Sequence, residues 1–224
     1  MLLKQANTSV IQRDKTSLIV KTYALLTVGF IFMAFGVTVG LNFIPQLLSL
    51  GKWGFLIASL LATIGTMFLA IVNKNNKLGY IFFLLFTFVI GFFDAPAIAV
   101  ILSTPALVSI FYQAAILTAL ITASISIYVL VTKKNFSFLG GFLFTGLVIV
   151  FILILVSLFW HNRMMDFVIS GMGAILFSLY ILYDTSRLVN ENTNPVEIAI
   201  ALFLDIINLF WMLFELLKIV NGEE

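Results

Sequence analysis

Long apolar runs fill almost the whole chain and are separated only by short polar clusters. Seven of these runs are each long enough for a membrane-crossing helix, which needs roughly 20 predominantly apolar residues. They cover residues 18–44, 54–72, 79–102, 105–131, 137–159, 164–188 and 196–220. The runs are apolar on all sides and do not alternate between polar and apolar residues, so they indicate helices rather than strands. We therefore predict an all-α membrane protein, a bundle of seven transmembrane helices.

The polar segments at the two ends delimit one predicted membrane domain. A polar N-terminal segment covers residues 1–17, the seven-helix domain residues 18–220, and a short tail residues 221–224. The first apolar run is too long for a signal peptide, and no small-residue cleavage site follows it, so we expect a retained first helix. Only Ser103-Thr104 separates the third and fourth runs, and six helices would result if one run were re-entrant.

Basic residues are unevenly distributed between the two sides of this arrangement. With the N-terminus in the cytoplasm, nine of them fall on the cytoplasmic side and three on the opposite side. The nine are Lys4, Arg13, Lys15, Lys21, Lys74, Lys77, Lys133, Lys134 and Arg187, and the three are Lys52, Arg163 and Lys218. Because cytoplasmic loops carry the excess of Lys and Arg, we predict a cytoplasmic N-terminus.

The composition supports lipid as the main solvent. Hydrophobic residues make up 62% and charged residues 10% of the chain, and the mean hydropathy is +1.17, whereas soluble domains carry about 25% charged residues. The net charge of +2 does not favour a nucleic-acid partner. The absence of cysteine excludes disulfides and thiolate metal sites. The single histidine, His161, falls in a loop, and we expect neither a metal role for it nor a tightly bound cofactor.

Acidic residues inside the apolar runs are the candidates for function. A charge at the centre of a bilayer costs roughly 2.5–3.5 kcal/mol, so such a residue needs a partner, a watery cavity or a proton. Four acids lie at least one turn inside their runs: Asp94, Asp184, Asp205 and Glu215. Glu215 is near the end of the seventh run, and we expect it at a water-accessible mouth.

Asp184 and Asp205 form the most informative pair because they lie on consecutive runs joined by a short loop. Their helices should be antiparallel neighbours, with the two acids ~9 Å and ~15 Å from the loop. Two carboxyl groups that meet in a dry site would share a proton and respond to pH. Doubly ionised, they would offer calcium hard oxygen ligands, to which Asn208 could add one more. Alternatively, the acids only join helices, through hydrogen bonds to Tyr183, Ser186 or Asn208.

Asp94 is a weaker candidate, and Pro96 nearby affects how it is interpreted. A proline within a span frees a backbone carbonyl and, we expect, breaks this helix, a feature that often marks a cavity. Asp94 could then contribute an acid to an ion path. Alternatively, it lies at the wet end of its span and has no such role.

The last two runs resemble the C-terminal signature of the Bax inhibitor family, also called the transmembrane Bax inhibitor motif family. The resemblance lies in Phe177-Ser-Leu-Tyr-Ile-Leu-Tyr-Asp184 and in Ala201-Leu-Phe-Leu-Asp205-Ile-Ile-Asn-Leu-Phe210. Weaker similarity occurs at Asn135-Phe-Ser-Phe-Leu-Gly-Gly141 and at Leu78-Gly-Tyr80. The resemblance spans all seven runs but is specific chiefly in the last two.

This resemblance implies a seven-helix protein in which Asp184 and Asp205 form an aspartate dyad. In the family such a dyad is associated with pH-dependent calcium leak, and some bacterial members associate with proteases. Some members also have an arginine and a glutamate at the second helix, whereas residues 54–72 contain neither; Lys74 is the nearest basic residue. The resemblance further implies a bacterial inner-membrane protein.

Three functions are compatible with these observations. The first is a pH-sensitive calcium leak gated by Asp184 and Asp205. The second is an interaction protein that regulates a membrane quality-control protease, or a cell-death or stress pathway, without conducting ions. The third is an intramembrane aspartyl protease; Tyr183-Asp184 fits half of that signature, but no glycine precedes Asp205 in the way the other half requires. We therefore expect that the protein is not an enzyme.

Overall fold

A computed structural model describes residues 2–160 and 162–223, with side chains described from residue 15 onward. His161 lies outside the described residues, as do Met1 and Glu224 at the ends of the predicted terminal segments. The expected loop position of His161 is therefore still a prediction. Within the described ranges the secondary structure is helical, with no strand.

Seven long helices and one short helix form the described chain. They are α1 (Leu2–Leu41), α2 (Ile44–Ser49), α3 (Gly51–Val72), α4 (Lys77–Ser103), α5 (Pro105–Thr132), α6 (Gly140–Ser157), α7 (Arg163–Asn190) and α8 (Pro195–Val220). A 3₁₀ turn at Ser137–Leu139 precedes α6. All except α2 include a stretch long and apolar enough to cross a membrane. The prediction of a seven-helix all-α membrane protein is confirmed, while the cytoplasmic N-terminus and the division at residues 17 and 220 are still predictions.

Local structure departs from the sequence predictions in three places. Helix α1 begins at Leu2, so it continues through the polar segment, although its membrane-compatible part is Lys15–Leu41. The predicted loop after the first span contains α2, which has Pro45 in its first turn, where proline is favoured. The expectation that Pro96 breaks its helix is wrong, because α4 runs through it. Membrane helices accommodate proline through small local adjustments of the backbone.

The chain divides into two compact units. The first comprises Met1–Val100 and Thr193–Ile200, and the second Ile101–Asn192 and Ala201–Glu224. Helix α8 therefore begins in the first unit and continues in the second.

In the first unit, glycine allows α1 and α4 to approach closely. A Cβ atom added at Gly36 would collide with the carbonyl oxygen of Phe88, and one added at Gly91 with that of Met33. The rings of Phe35 and Phe88 pack alongside, with centroids 5.6 Å apart. Small residues at such positions increase van der Waals contact between helices, which is a main source of helix association in lipid.

In the second unit, α5 and α6 pack against α7. The α6–α7 contact includes a buried cluster of Leu143 and Val150 with Ile169 and Leu176. Helix α7 begins after Asn162, whose side chain accepts a 2.9 Å hydrogen bond from the backbone N–H of Met164. This N-cap satisfies one of the free N–H groups at the helix start.

Helices α7 and α8 lie antiparallel within the second unit. Near the start of α7, the Arg163 guanidinium donates a 2.7 Å hydrogen bond to the Ile219 carbonyl oxygen. Further along, Gly173 faces the Met212 side chain. The expected antiparallel arrangement therefore places the last turns of α7 beside the part of α8 that contains Asp205.

Candidate functional site

The carboxyl groups of Asp184 and Asp205 contact each other through a side-chain hydrogen bond. Asp184 lies in the second-to-last turn of α7, and Asp205 lies near the middle of α8. Both residues are buried, with 4% and 6% of their surface exposed. A hydrogen bond between two carboxyl groups requires a proton on one of them, since an ionised carboxylate can only accept.

Arg187 links this acid pair to a third acid. Its Nη1 donates to Oδ1 of Asp184 at 2.8 Å, and its Nε donates to Oε2 of Glu191 at 3.3 Å. Side chains three and four residues apart are neighbours on a helix, so this arrangement follows from their spacing. Side-chain exposure increases from 5% at Asp184 to 22% at Arg187 and 39% at Glu191. The charged groups therefore extend from the buried pair towards the end of α7.

One oxygen of Asp205 receives no N–H or hydroxyl donor. Its Oδ2 is fully buried, and no such donor of the described residues bonds to it. Leaving a buried polar atom unpaired costs about 1–3 kcal/mol or more. Such an atom fits a position where a proton or a cation binds for part of the time.

Tyr183 contributes to the site through Arg187. The guanidinium carbon lies 5.6 Å from the centre of the Tyr183 ring, a distance typical of a cation–π contact. This ring packs nearly at right angles to the Tyr180 ring, with centroids 6.5 Å apart. The Tyr183 hydroxyl lies only 3.0 Å from where a Cβ atom of Gly140 would be. Gly140 at the start of α6 therefore makes room for the tyrosine that packs on Arg187.

The other predicted residues occupy different environments. The Asn208 amide nitrogen donates to the Leu204 carbonyl oxygen at 2.8 Å, so it is bonded to its own helix. Asp94 is half-buried and belongs to the first unit, whereas Asp184 and Asp205 belong to the second. Glu215 pairs with Lys218 at 2.9 Å and is partly exposed. The structure thus brings together Asp184 and Asp205 and places Asp94 in a different unit.

Ser186, one of the alternative partners of the acids, has another role. Its hydroxyl accepts a 2.8 Å hydrogen bond from the backbone N–H of Phe136 and donates to the Lys134 carbonyl oxygen. It therefore attaches the segment before α6 to α7. This contact makes Ser186 a structural residue of the second unit.

The acid pair provides only part of a calcium coordination sphere. Calcium takes six to eight oxygen ligands in proteins, and the described residues contain no group of three or more His, Cys, Asp or Glu side chains that could hold a metal ion. Arg187 already occupies one oxygen of Asp184. These two carboxyl groups would therefore hold a cation only weakly, and calcium binding by Asp184 and Asp205 is still a prediction.

The sequence analysis uses Arg187 only as an indicator of orientation and assigns no role to Glu191, which lies between the sixth and seventh runs. The position of Arg187 three residues after Asp184 is a signal for an ion pair, because a helix places such residues on one face. The spacing Asp184, Arg187, Glu191 would have predicted the whole charged group.

The fold and this site define an integral membrane protein with seven apolar helices and a buried acid pair on the last two. The family described as "Inhibitor of apoptosis-promoting Bax1" matches residues 15–222. The chain belongs to this Bax inhibitor family, which confirms the resemblance found in the sequence.

Relatives are found in bacteria and in a mammal. The chain is 31% identical over 217 residues to "Modulator of FtsH protease YccA" of Escherichia coli K12, which covers 94% of this chain and 96% of that protein. "Inner membrane protein YccA" of Escherichia coli O6:H1 has the same identity and coverage. "Protein lifeguard 4" of Mus musculus is 37% identical over 114 residues, 50% of this chain and 48% of that protein.

These findings also support the location expected from the sequence. Among the residues that the structure describes, seven helices are long and apolar enough to cross a membrane, and a relative similar over nearly its whole length is named an inner membrane protein. The chain is an integral protein of the bacterial inner membrane.

Proposed function

We propose that the protein is a pH-sensitive cation leak, with calcium as the expected permeant ion and Asp184 and Asp205 as its gate. The observation that carries this proposal is the contact between these two buried carboxyl groups on neighbouring spans. Buried acids of this kind are costly in a membrane, and they mark ion or proton paths where they face a protein interior.

Protonation explains how such a gate would respond to pH. With one proton shared, the carboxyl groups attract each other and hold the α7–α8 contact closed. Without it, the two carboxylates repel each other; two unit charges about 4 Å apart repel by about 4 kcal/mol at an effective dielectric constant of about 20. A cation that binds between them relieves this repulsion. Calcium flux should therefore increase as the pH rises and decrease as it falls.

Calcium flux into proteoliposomes that contain an internal fluorescent calcium indicator tests the leak. The purified protein should give a flux that increases with pH, and the double substitution Asp184→Asn with Asp205→Asn should abolish both the flux and its pH dependence. Glu215→Gln is a matched control, since it removes a partly exposed acid on α8 and should leave both unchanged. A flux that persists in the double variant would rule out the proposed gate.

A second candidate is modulation of a membrane protease. The observation that favours it is similarity over 94% of the chain to a protein named as a modulator of the FtsH protease. In this case the acid pair would regulate or stabilise a contact with the partner. Cross-linking in native membranes should then recover a membrane protease in stoichiometric amounts, while the pure protein in liposomes should conduct no calcium.

Neither candidate requires catalysis. The sequence before Asp205 is Leu202-Phe203-Leu204, which provides no glycine for close approach of a substrate backbone. Under neither candidate do the acids act on a substrate, and a non-enzymatic role without a tightly bound cofactor is still a prediction.

A further inference from the structure

We propose that Arg187 is a tethered counter-ion that competes with the incoming cation for Asp184, and that Glu191 receives its guanidinium group when a cation binds. This inference rests on the proposed function, because it describes how cation access to the same acid pair is regulated. It assigns a function to Arg187 in the last turn of α7 and another to Glu191 at the C-cap of this helix.

The contacts of Arg187 divide its guanidinium group between two acids. The 2.8 Å contact with Asp184 is short and the 3.3 Å contact with Glu191 is longer. Asp184 is buried and Glu191 is partly exposed. The guanidinium group thus holds the carboxylate that a permeant cation needs, and a second carboxylate lies on its watery side.

The surroundings of Arg187 favour a side chain that can move between these acids. Its position in the last turn of α7 places the positive charge near the negative end of the helix dipole, whichever acid it contacts. The Tyr183 ring provides a face along which the guanidinium group can shift. A movement of this side chain towards Glu191 would therefore keep most of its favourable contacts and free Oδ1 of Asp184.

Direct competition makes a prediction that overall electrostatics does not make. If Arg187 only repelled cations at a distance, Glu191 would attract them independently, and the effects of removing the two charges would add. If Arg187 blocks Asp184 and Glu191 acts by holding Arg187, then Glu191 matters only while Arg187 is present. A double-mutant cycle measures this difference.

Binding of radioactive calcium to the purified full-length protein in detergent, measured by equilibrium dialysis at constant pH, provides the test. We expect Arg187→Gln to tighten calcium binding by about tenfold or more, as the loss of a charged hydrogen bond that opposes binding predicts. Glu191→Gln should weaken binding by about two- to fivefold. In the Arg187→Gln background, Glu191→Gln should have no further effect. Arg187→Lys, which keeps the charge, should restore binding close to that of the original protein.

Helix α8 offers a matched control pair. Lys218 and Glu215 have the same three-residue spacing and a similar distance of 2.9 Å, but the Glu215 side chain is 37% exposed whereas that of Asp184 is 5% exposed. Lys218→Gln and Glu215→Gln should each leave calcium affinity unchanged. Size-exclusion elution and the thermal unfolding midpoint show whether each variant is folded, and if Arg187→Gln does not fold, the comparison of Glu191→Gln with Glu215→Gln decides.

Several results would overturn the counter-ion role. These are an unchanged affinity in folded Arg187→Gln, additive effects in the double variant, equal effects of Glu191→Gln and Glu215→Gln, or no calcium binding by any variant. Flux in proteoliposomes separates this inference from the proposed leak. Non-additive effects on calcium binding without flux would support the counter-ion role and reject the leak. Flux that requires Asp184 and Asp205 but is unchanged in Arg187→Gln would support the leak and reject the counter-ion role.

Discussion

The α1–α4 contact of the first unit and the α7–α8 contact of the second each bring two long apolar helices together at a glycine. The atoms that the glycines meet differ between the two contacts. In α1–α4 the glycine lets one backbone touch the other, as at Gly91 and Met33. In α7–α8 a glycine faces a flexible side chain, Met212, and the contact also includes two buried acids.

The two contacts therefore differ in how they contribute to stability. Close backbone approach provides the van der Waals contact that holds helices together in lipid. Buried charged groups are a poor source of stability, because their desolvation often costs as much as their attraction returns. The α7–α8 contact therefore holds Asp184 and Asp205 at an energetic cost that helix packing by itself does not require. Four substitutions test this distinction.

Gly91→Ala should have the largest effect on stability. The new Cβ would collide with the backbone of Met33, which cannot move without shifting α1. We expect a loss of about 3 kcal/mol in the free energy of unfolding, at the upper end of typical overpacking costs. Reversible unfolding in mixed detergent micelles measures it. Gly141→Ala is the control, because nothing lies within 4 Å of its Cβ position; similar losses in both variants would show that the backbone contact is not the cause.

Arg187→Ala should have the next largest effect, because it leaves the carboxylate of Asp184 buried without its guanidinium partner. Breaking a fully buried pair costs about 3–5 kcal/mol, and the partial exposure of Arg187 reduces our expectation to about 2 kcal/mol near neutral pH. The loss should be smaller in acid, where a proton on Asp184 removes the unpaired charge. Unfolding at pH 8 and pH 5 measures this, and equal losses at both values would argue against the pairing.

Gly173→Ala should cost less than Gly91→Ala although its Cβ would also be crowded. The atoms that it meets, 2.5 and 2.8 Å away, are the sulfur and Cγ of Met212. A methionine side chain is flexible and can adjust, so we expect a loss of about 1 kcal/mol. The same unfolding assay applies. Adding Met212→Ala should relieve the crowding in Gly173→Ala, and a loss as large as that of Gly91→Ala would remove the contrast between the two contacts.

Lys218→Ala should have the smallest effect. Its partner Glu215 is partly exposed and can be solvated when the lysine is removed. Exposed ion pairs contribute at most about 1 kcal/mol, so we expect a change of about 0.5 kcal/mol or less in the same unfolding assay. A loss comparable to that of Arg187→Ala would show that burial does not distinguish the two pairs.

Much of the fold could be predicted from hydropathy alone. The seven predicted spans correspond to the seven membrane-compatible helices, and even the weak separation at Ser103-Thr104 marks the boundary between α4 and α5. The errors occurred at local features. The short helix α2 was missed because six residues carry too little periodicity, and the effect of Pro96 was overestimated because a long helix can continue through a proline.

The candidate site could be predicted in part. Asp184 and Asp205 stand out because a carboxyl group in an apolar span is costly, and the short loop between the spans indicated that they could meet. Asp94 has the same sequence signal but belongs to the other unit. Arg187 has a signal too, in its spacing from Asp184, but spacing does not show which way a long side chain turns.

The sequence by itself determined that lipid solvates most of the chain and that the chain has seven spans. It also determined which acids are costly to bury in the membrane. These properties depend on the solvation of each segment. Only the tertiary structure decided that α1 and α4 meet at their backbones, that Asp184 touches Asp205, and that Arg187 lies between Asp184 and Glu191. Those contacts depend on the direction of each helix face and on the rotamer of each side chain. Hydropathy gives neither the face direction nor the rotamers, because a helix that is apolar all round can present any face to its neighbours.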